Sequence, residues 1–224
     1  DVDWENIEGH LQFLLAQLPA VPTQIFFHNP IFTLVPNTVL VPDNEKNYLS
    51  YFDEFSKDSL FFSTPIAIGD LSIASFLPSK INQILKDKFT VLNVSHGSSS
   101  FLSYLFHEKS NQLGQEIIIN CCDSFIYLAG FSNRELVLFN RFDVLTLEDI
   151  LKYILITQET LKFEKNIVRV TLFGSSIHYE LTETIGNQFF TNFRLTKPYT
   201  NQRYSPVFTK EYPKKIFETF WEKK

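Results

Sequence analysis

The chain has 224 residues, 44% of them hydrophobic and 20% charged, which supplies material for a real core and argues against a disordered chain. Its formal charge is −5, with no block of five or more like charges, and this disfavours nucleic-acid binding driven by phosphate neutralisation. Phenylalanine is abundant at 24 and glycine scarce at 7, so large flat rings fill the core and few loops are built on glycine.

Residues 3–18 predict an amphipathic helix, with Ile7, Leu11, Leu14, Leu15 and Leu18 at three- and four-residue intervals behind Asp3. Two short strands, 24–28 and 31–35, flank the Asn29-Pro30 break. Residues 43–55, with Tyr48, Tyr51, Phe52 and Phe55, suit a helix. Strands at 60–68 and 71–76 are separated by Gly69-Asp70. A helix over 79–88 follows, burying Ile81, Ile84 and Leu85, then a strand at 90–94 and a helix at 99–109.

The second half repeats a cleaner pattern. Strands at 116–122, 125–129 and 135–142 are joined by short turns at Asp123-Ser124 and Ser132-Asn133. A long helix begins after Thr146, with Glu148 and Asp149 in its first turn where carboxylates suit the positive end of the dipole, and buries Ile150, Tyr153, Ile154 and Ile156. The apolar strand 167–173 ends at Gly174-Ser175-Ser176, and a helix at about 177–186 and a strand at about 189–194 complete the unit. Beyond Lys197 the chain carries three prolines and a last apolar cluster of Ile216, Phe217, Phe220 and Trp221, expected to be an extended tail ending in a short docked helix. The division expected is a first half over 1–114, a second over 115–196 and a tail over 197–224.

The second half therefore runs β-β-β-α-β-α-β, which implies a mixed sheet covered by helices. Its antiparallel three-strand entry sets it apart from a doubly wound dinucleotide fold. The first half ends in the same way but lacks the opening meander. Methionine is absent and the first residues look like a helix cap, so upstream residues are expected to supply that meander.

The adjacent Cys121 and Cys122 lie in a strand, where neighbours point to opposite faces, and are expected to be two buried thiols rather than a disulfide. With no membrane-length apolar run and no signal peptide, the expected compartment is the cytoplasm.

The doubled order, together with Phe32-Thr-Leu-Val-Pro36, the stretch from Phe76-Leu-Pro78 to His96, Leu138-Phe-Asn-Arg-Phe142 and Leu147 to Leu155, resembles a bacterial family of unknown function. That family has an actin-like ATPase (ribonuclease H-like) fold. The stretch from Leu71 through the meander is also similar, more distantly, to the actin-like assembly proteins of type IV pili and type II secretion. The resemblance spans nearly the whole chain and implies an α/β fold of two halves, without an activity. Working members of the wider superfamily hold ATP and a metal between two halves, with an Asp and glycines at one hairpin and a later strand–glycine loop against the adenosine. Glycine lets backbone N–H groups approach phosphate, and a carboxylate holds hydrated Mg²⁺.

Set on this chain, the hairpin corresponds to Ile118 through Ile126 and the adenosine loop to Leu172 through Ile177. Asn120 stands roughly where the Asp is expected, and the turn has no glycine. The candidate vestigial nucleotide site is therefore Asn120, Asp123, Ser124, Gly174, Ser175 and Ser176. Asp123 also reads as a turn residue bonding its own backbone, and Gly174 as an ordinary strand-to-helix glycine. His96-Gly97-Ser98-Ser99-Ser100 resembles an anion-binding helix start, with serine capping as the alternative. The five histidines lack metal-ligand spacing, and no nucleophile elbow surrounds Ser98 or Ser175.

The expectation is thus no catalytic residue, no metal and no cofactor, with ATP and Mg²⁺ disfavoured. The chain reads as a scaffold or interaction protein with a protein partner, no nucleic acid and no direct membrane insertion. The alternative is a nucleotide-binding ATPase or sugar-kinase-like enzyme whose phosphate site lies partly upstream of Asp1. The tail beyond Lys197 is the expected docking strip for a partner.

Overall fold

The computed structural model describes residues 4–52, 59–174, 180–199, 217–219 and 221. Packing divides the chain into two units, Asp1–Ser99 and Ser100–Lys224.

In the first unit, helix α1 (Trp4–Ala16) leads to strand β1 (Thr23–Phe27), and helix α3 (Ser79–Lys88) leads to β5 (Leu92–His96). β1 and β5 pair in parallel from Thr23↔Leu92 to Phe27↔His96. Between β1 and α3 the chain builds a separate antiparallel sheet from β2 (Phe32–Pro36), β3 (Leu60–Ile66) and β4 (Leu71–Leu77), in the order β2-β4-β3. Pro65 sits in the edge strand β3, where a missing N–H costs least. Leu15, Leu77, Ile81, Leu85 and Phe89 form this unit's buried core, with Ile25, Phe27 and Phe62 packed against it.

Several first-half expectations shift. The helix expected over 43–55 reduces to a single turn, α2 (Glu45–Tyr48), and Tyr51 is 93% exposed. Phe55 lies outside the described residues. Leu14 and Leu18, assigned to the buried stripe of α1, are exposed, whereas Leu15 is fully buried. β5 begins two positions later than its expected 90–94 span.

The second unit opens with α4 (Ser99–His107), whose first residue closes the preceding unit. Strands β6 (Gln115–Cys121), β7 (Phe125–Ser132) and β8 (Glu135–Asp143) form the antiparallel meander. Helix α5 (Leu147–Thr160), β9 (Arg169–Gly174), α6 (Glu183–Phe189) and β10 (Asn192–Leu195) follow. β9 and β10 add in parallel, giving one five-stranded sheet in the order β10-β9-β6-β7-β8. The expected β-β-β-α-β-α-β order is present in full.

Local chemistry explains the boundaries. Thr146 caps α5 by accepting from the Asp149 N–H at 3.2 Å, while Asp149 Oδ2 accepts from Leu145 and Thr146 N–H at 3.0 and 3.1 Å. Those backbone donors, first Leu145, hold the Asp149 carboxyl below its ordinary range. Thr182 caps α6, which starts at Glu183; residues 175–179, part of the expected 177–186 helix, lie outside the described set. The β7–β8 turn places Asn133 and Arg134 both at positive φ, the arrangement that follows the strand twist.

One face of the sheet packs against α5 and α6 through Ile117, Ile119, Leu128, Val170 and Leu172 with Ile150 and Ile154. Ile156, expected to be buried, is exposed, and Leu151 takes its place. The opposite face carries aromatic rings. Tyr127 stacks on Phe139 at 5.8 Å, Phe139 meets Phe101 of α4 at 6.3 Å, and Phe173 meets Tyr104 at 5.6 Å. Phe217 and Trp221 from the tail close this cluster: Phe217 lies 5.2 Å from Phe101 and 6.0 Å from Phe173, and Trp221 lies 5.3 Å from Tyr104. Both are buried, as a short docked turn at the end of the tail requires. Ile216 and Phe220 lie outside the described residues. Among the described residues no helix is long and apolar enough to cross a membrane.

Candidate functional site

The β6–β7 hairpin places Asn120 at the penultimate position of β6, between Tyr127 of β7 and Phe173 of β9. Its side chain is buried, and its amide reaches Cys122 Sγ at 4.0 Å. The turn itself is a two-residue connection. Cys122 N–H donates to Phe125 O at 2.9 Å, leaving Asp123 and Ser124 exposed at the tip. Ser124 O in turn accepts from Val144 N–H at 3.0 Å. Neither Asp123 nor Ser124 has a positive φ. The hairpin is thus closed by its own backbone bonds, with Asn120 buried and Asp123 exposed.

Gly174 ends β9 directly opposite Cys121, with φ at +94°. A Cβ there would lie 2.2 Å from the Cys121 carbonyl oxygen and 3.1 Å from Cys121 N and C. Close approach of two strand backbones therefore requires this glycine, whatever else the loop does. Ser175 and Ser176 lie outside the described residues. Of the six candidates, the structure gathers Asn120, Asp123, Ser124 and Gly174 around the adjacent ends of β6 and β9.

The sequence reading missed three further groups near this hairpin. Arg141 of β8 lies over the Phe125 ring at 4.2 Å and pairs with exposed Asp143 at 2.8 Å. Tyr127 is fully buried and its hydroxyl pKa is raised, first by burial and then by Cys122, with Arg141 opposing and Glu218 adding. Glu218, on the 3-10 turn Phe217–Thr219, is pushed up to about 7 by burial. A lone Arg within the apolar stretch 138–142 was the available signal for the first of these. Nothing local to residues 217–221 points to the other end of the sheet.

This chemistry is quiet. Burial pushes the Cys121 thiol up to about 12 and raises Cys122 further, so both stay protonated and non-nucleophilic. Both are free thiols. Among the described residues no group of three or more His, Cys, Asp or Glu side chains could hold a metal ion.

The His96-Gly97-Ser98 stretch of the first unit is likewise a packed network. His96 Nε2 lies 3.0 Å from the Asn29 carbonyl, which only accepts, so Nε2 carries the proton. Nδ1 therefore accepts from Ser98 Oγ at 2.8 Å. A hydroxyl on an imidazole looks like a nucleophile and its base, but both side chains are fully buried. Gly97 is required because the His28 ring would lie 2.2 Å from a Cβ. This bond uses the Ser98 hydroxyl proton and leaves the oxygen's lone pairs able to accept.

Comparisons with known proteins agree with this geometry. A structure from Bacteroides thetaiotaomicron VPI-5482, described as a protein with actin-like ATPase fold and unknown function, matches with a TM-score of 0.72 at 12% identity. The match covers 85% of this chain and 76% of that one. The PilM-PilN type IV pilus biogenesis complex matches with a TM-score of 0.53 at 11% identity, over 86% of this chain and 75% of that one. A search of curated proteins found no match. At these identities the likeness shows a shared fold, the actin-like ATPase fold expected from the sequence. Residues 22–193 match the family model for proteins of unknown function DUF3822, and the chain belongs to that family.

Proposed function

We propose that this chain is a non-catalytic scaffold or interaction protein that keeps an actin-like frame without nucleotide machinery. The observation that carries this reading is the β6–β7 turn. It has no glycine, it closes on its own backbone through Cys122 and Phe125, and it carries a buried Asn120, the residue that the resemblance sets roughly at the place of the superfamily's acid. The remaining glycine nearby, Gly174, already answers to the Cys121 carbonyl. A triphosphate needs inward-facing amides and a carboxylate on Mg²⁺, and this hairpin is poor in both. A protein partner fits a neighbour solved as a complex, PilM with PilN, and the acidic charge is unsuited to nucleic acid.

Thermal shift with ATP and Mg²⁺ tests the reading. A ligand at a hundred times its Kd adds about 2.7 kcal/mol, which is several degrees in melting temperature. The expected result is no saturable shift and no turnover. A shift abolished by Asp123→Ala, in a variant whose far-UV circular dichroism and melting temperature without ligand match the wild type, would overturn the proposal in favour of a nucleotide-binding enzyme.

A further inference from the structure

Two rings hold the last turn of the chain to the second unit. Phe217 meets Phe101 at 5.2 Å, Tyr104 at 5.4 Å and Phe173 at 6.0 Å. Trp221 meets Tyr104 at 5.3 Å and His107 at 4.9 Å. Trp221 N–H donates to Phe217 O at 3.2 Å, so the two anchors belong to one turn and seat together. Glu218 lies between them in the chain, and its Oε1 is buried.

Apolar neighbours suffice for two aromatic anchors, and a carboxylate moved from water into a ring-lined surface is costly. The groups that feel Glu218 are Cys122 at the β6–β7 turn and Tyr127 on β7, and Arg141 of β8 acts on the same two. Arg141 is already engaged, over the Phe125 ring at 4.2 Å and with Asp143 at 2.8 Å. Asp123 acts on Cys122, and α4 sets Tyr104 and His107 against the rings. Burial keeps Cys122, Tyr104 and Tyr127 protonated well above neutral pH. It also acts first on Glu218 and pushes that carboxyl up to about 7, with its own backbone opposing.

We propose that Glu218 makes the Phe217–Trp221 turn a proton-dependent latch: with a neutral carboxyl the turn sits on the aromatic layer, and with a carboxylate it lifts off and bares Phe101, Tyr104 and Phe173. A carboxyl whose pKa is raised by seating keeps its proton there and gives it up to solvent on release. The seat is therefore firmest below about pH 4.5 and weakens as pH rises through about 7. That displacement lowers the seating equilibrium constant about 300-fold. Any measure of how firmly Trp221 is held belongs to about pH 5 or below.

Tryptophan fluorescence of the full chain tests this. The chain has two tryptophans, so Trp4→Phe leaves Trp221 as the reporter. Its emission and acrylamide quenching should be those of a buried indole at about pH 5 and of a solvated one at about pH 9, with far-UV circular dichroism unchanged. With Glu218→Gln added, the indole should stay buried throughout. Histidine also changes charge in this range, so His107→Gln is the control and should keep the transition. The proposal is overturned by an indole buried at both pH values, or by a transition that survives Glu218→Gln, vanishes in His107→Gln or accompanies loss of secondary structure. If Trp4→Phe does not fold, the dye ANS decides on chains that keep Trp4. Dye binding that rises with pH in the wild type and stays flat in Glu218→Gln supports the latch, and equal curves overturn it.

Discussion

Gly174 and Asn120 show how differently two residues at one site can be read. The glycine invites a ligand until a Cβ is placed on it and meets the Cys121 carbonyl at 2.2 Å. Its positive φ adds strain for any other residue, so strand packing alone accounts for it. Asn120 was legible as a departure from the expected acid because its place on β6 follows from strand period and turn chemistry, both local. Glu218 was not legible, because its environment is made by residues almost a hundred positions away. Burial lifts its pKa from an ordinary 4.5 to about 7, so the folded state holds a proton that the unfolded chain releases. The stability this gives is full below about pH 4.5 and falls as pH rises to about 7. A displacement of that size corresponds to about 3 kcal/mol. Urea denaturation across about pH 5 to pH 8 should therefore show the wild type losing about 3 kcal/mol relative to Glu218→Gln. Parallel curves for the two proteins would place Glu218 in water instead.

At the scale of elements, the strands of the second half were read nearly to their ends, since alternation, short turns and β-branched content all act within a few residues. Helices were read less well for a physical reason. Periodicity shows that one face is apolar, not that anything covers it. Leu14 and Leu18 of α1 keep helical spacing yet lie exposed, and the tyrosines of 43–55 keep it with only one turn of α2 formed. The end of the tail was legible from its apolar cluster, but not the surface it docks on: Phe217 and Trp221 complete an aromatic layer with Phe101, Tyr104 and Phe173, and Trp221 also faces His107 at 4.9 Å. Trp221→Ala should cost about 3–5 kcal/mol in chemical denaturation, the usual loss for a buried aromatic. A loss under about 1 kcal/mol would return the tail to the role of a docking strip.

For the molecule as a whole, the two units differ in how their described sheets are built. The second has a five-stranded sheet with helices α5 and α6 on one face and an aromatic layer on the other, and its order was legible because each successive element packs beside one already placed. The first holds a two-stranded parallel pair and a separate three-stranded sheet, interleaved so that β1 and β5 meet across an intervening β2-α2-β3-β4 stretch. No local signal marks that stretch as an insertion, since its strands resemble those of the parent sheet. Loop closure over such a distance must be met before β1 and β5 gain any contact, whereas β6, β7 and β8 join through two- and three-residue steps. Residues 97–224 expressed alone should consequently keep a single cooperative thermal transition and native-like near-UV circular dichroism, carried by the core around Ile119, Leu128 and Ile154. Residues 1–96 alone should melt without one, because among the described residues β1 pairs with β5 alone and Phe13 and Leu14 of α1 are exposed. If the smaller fragment folds cooperatively and the larger does not, the independence of the five-stranded sheet is wrong, and the stability of each unit is drawn from the other.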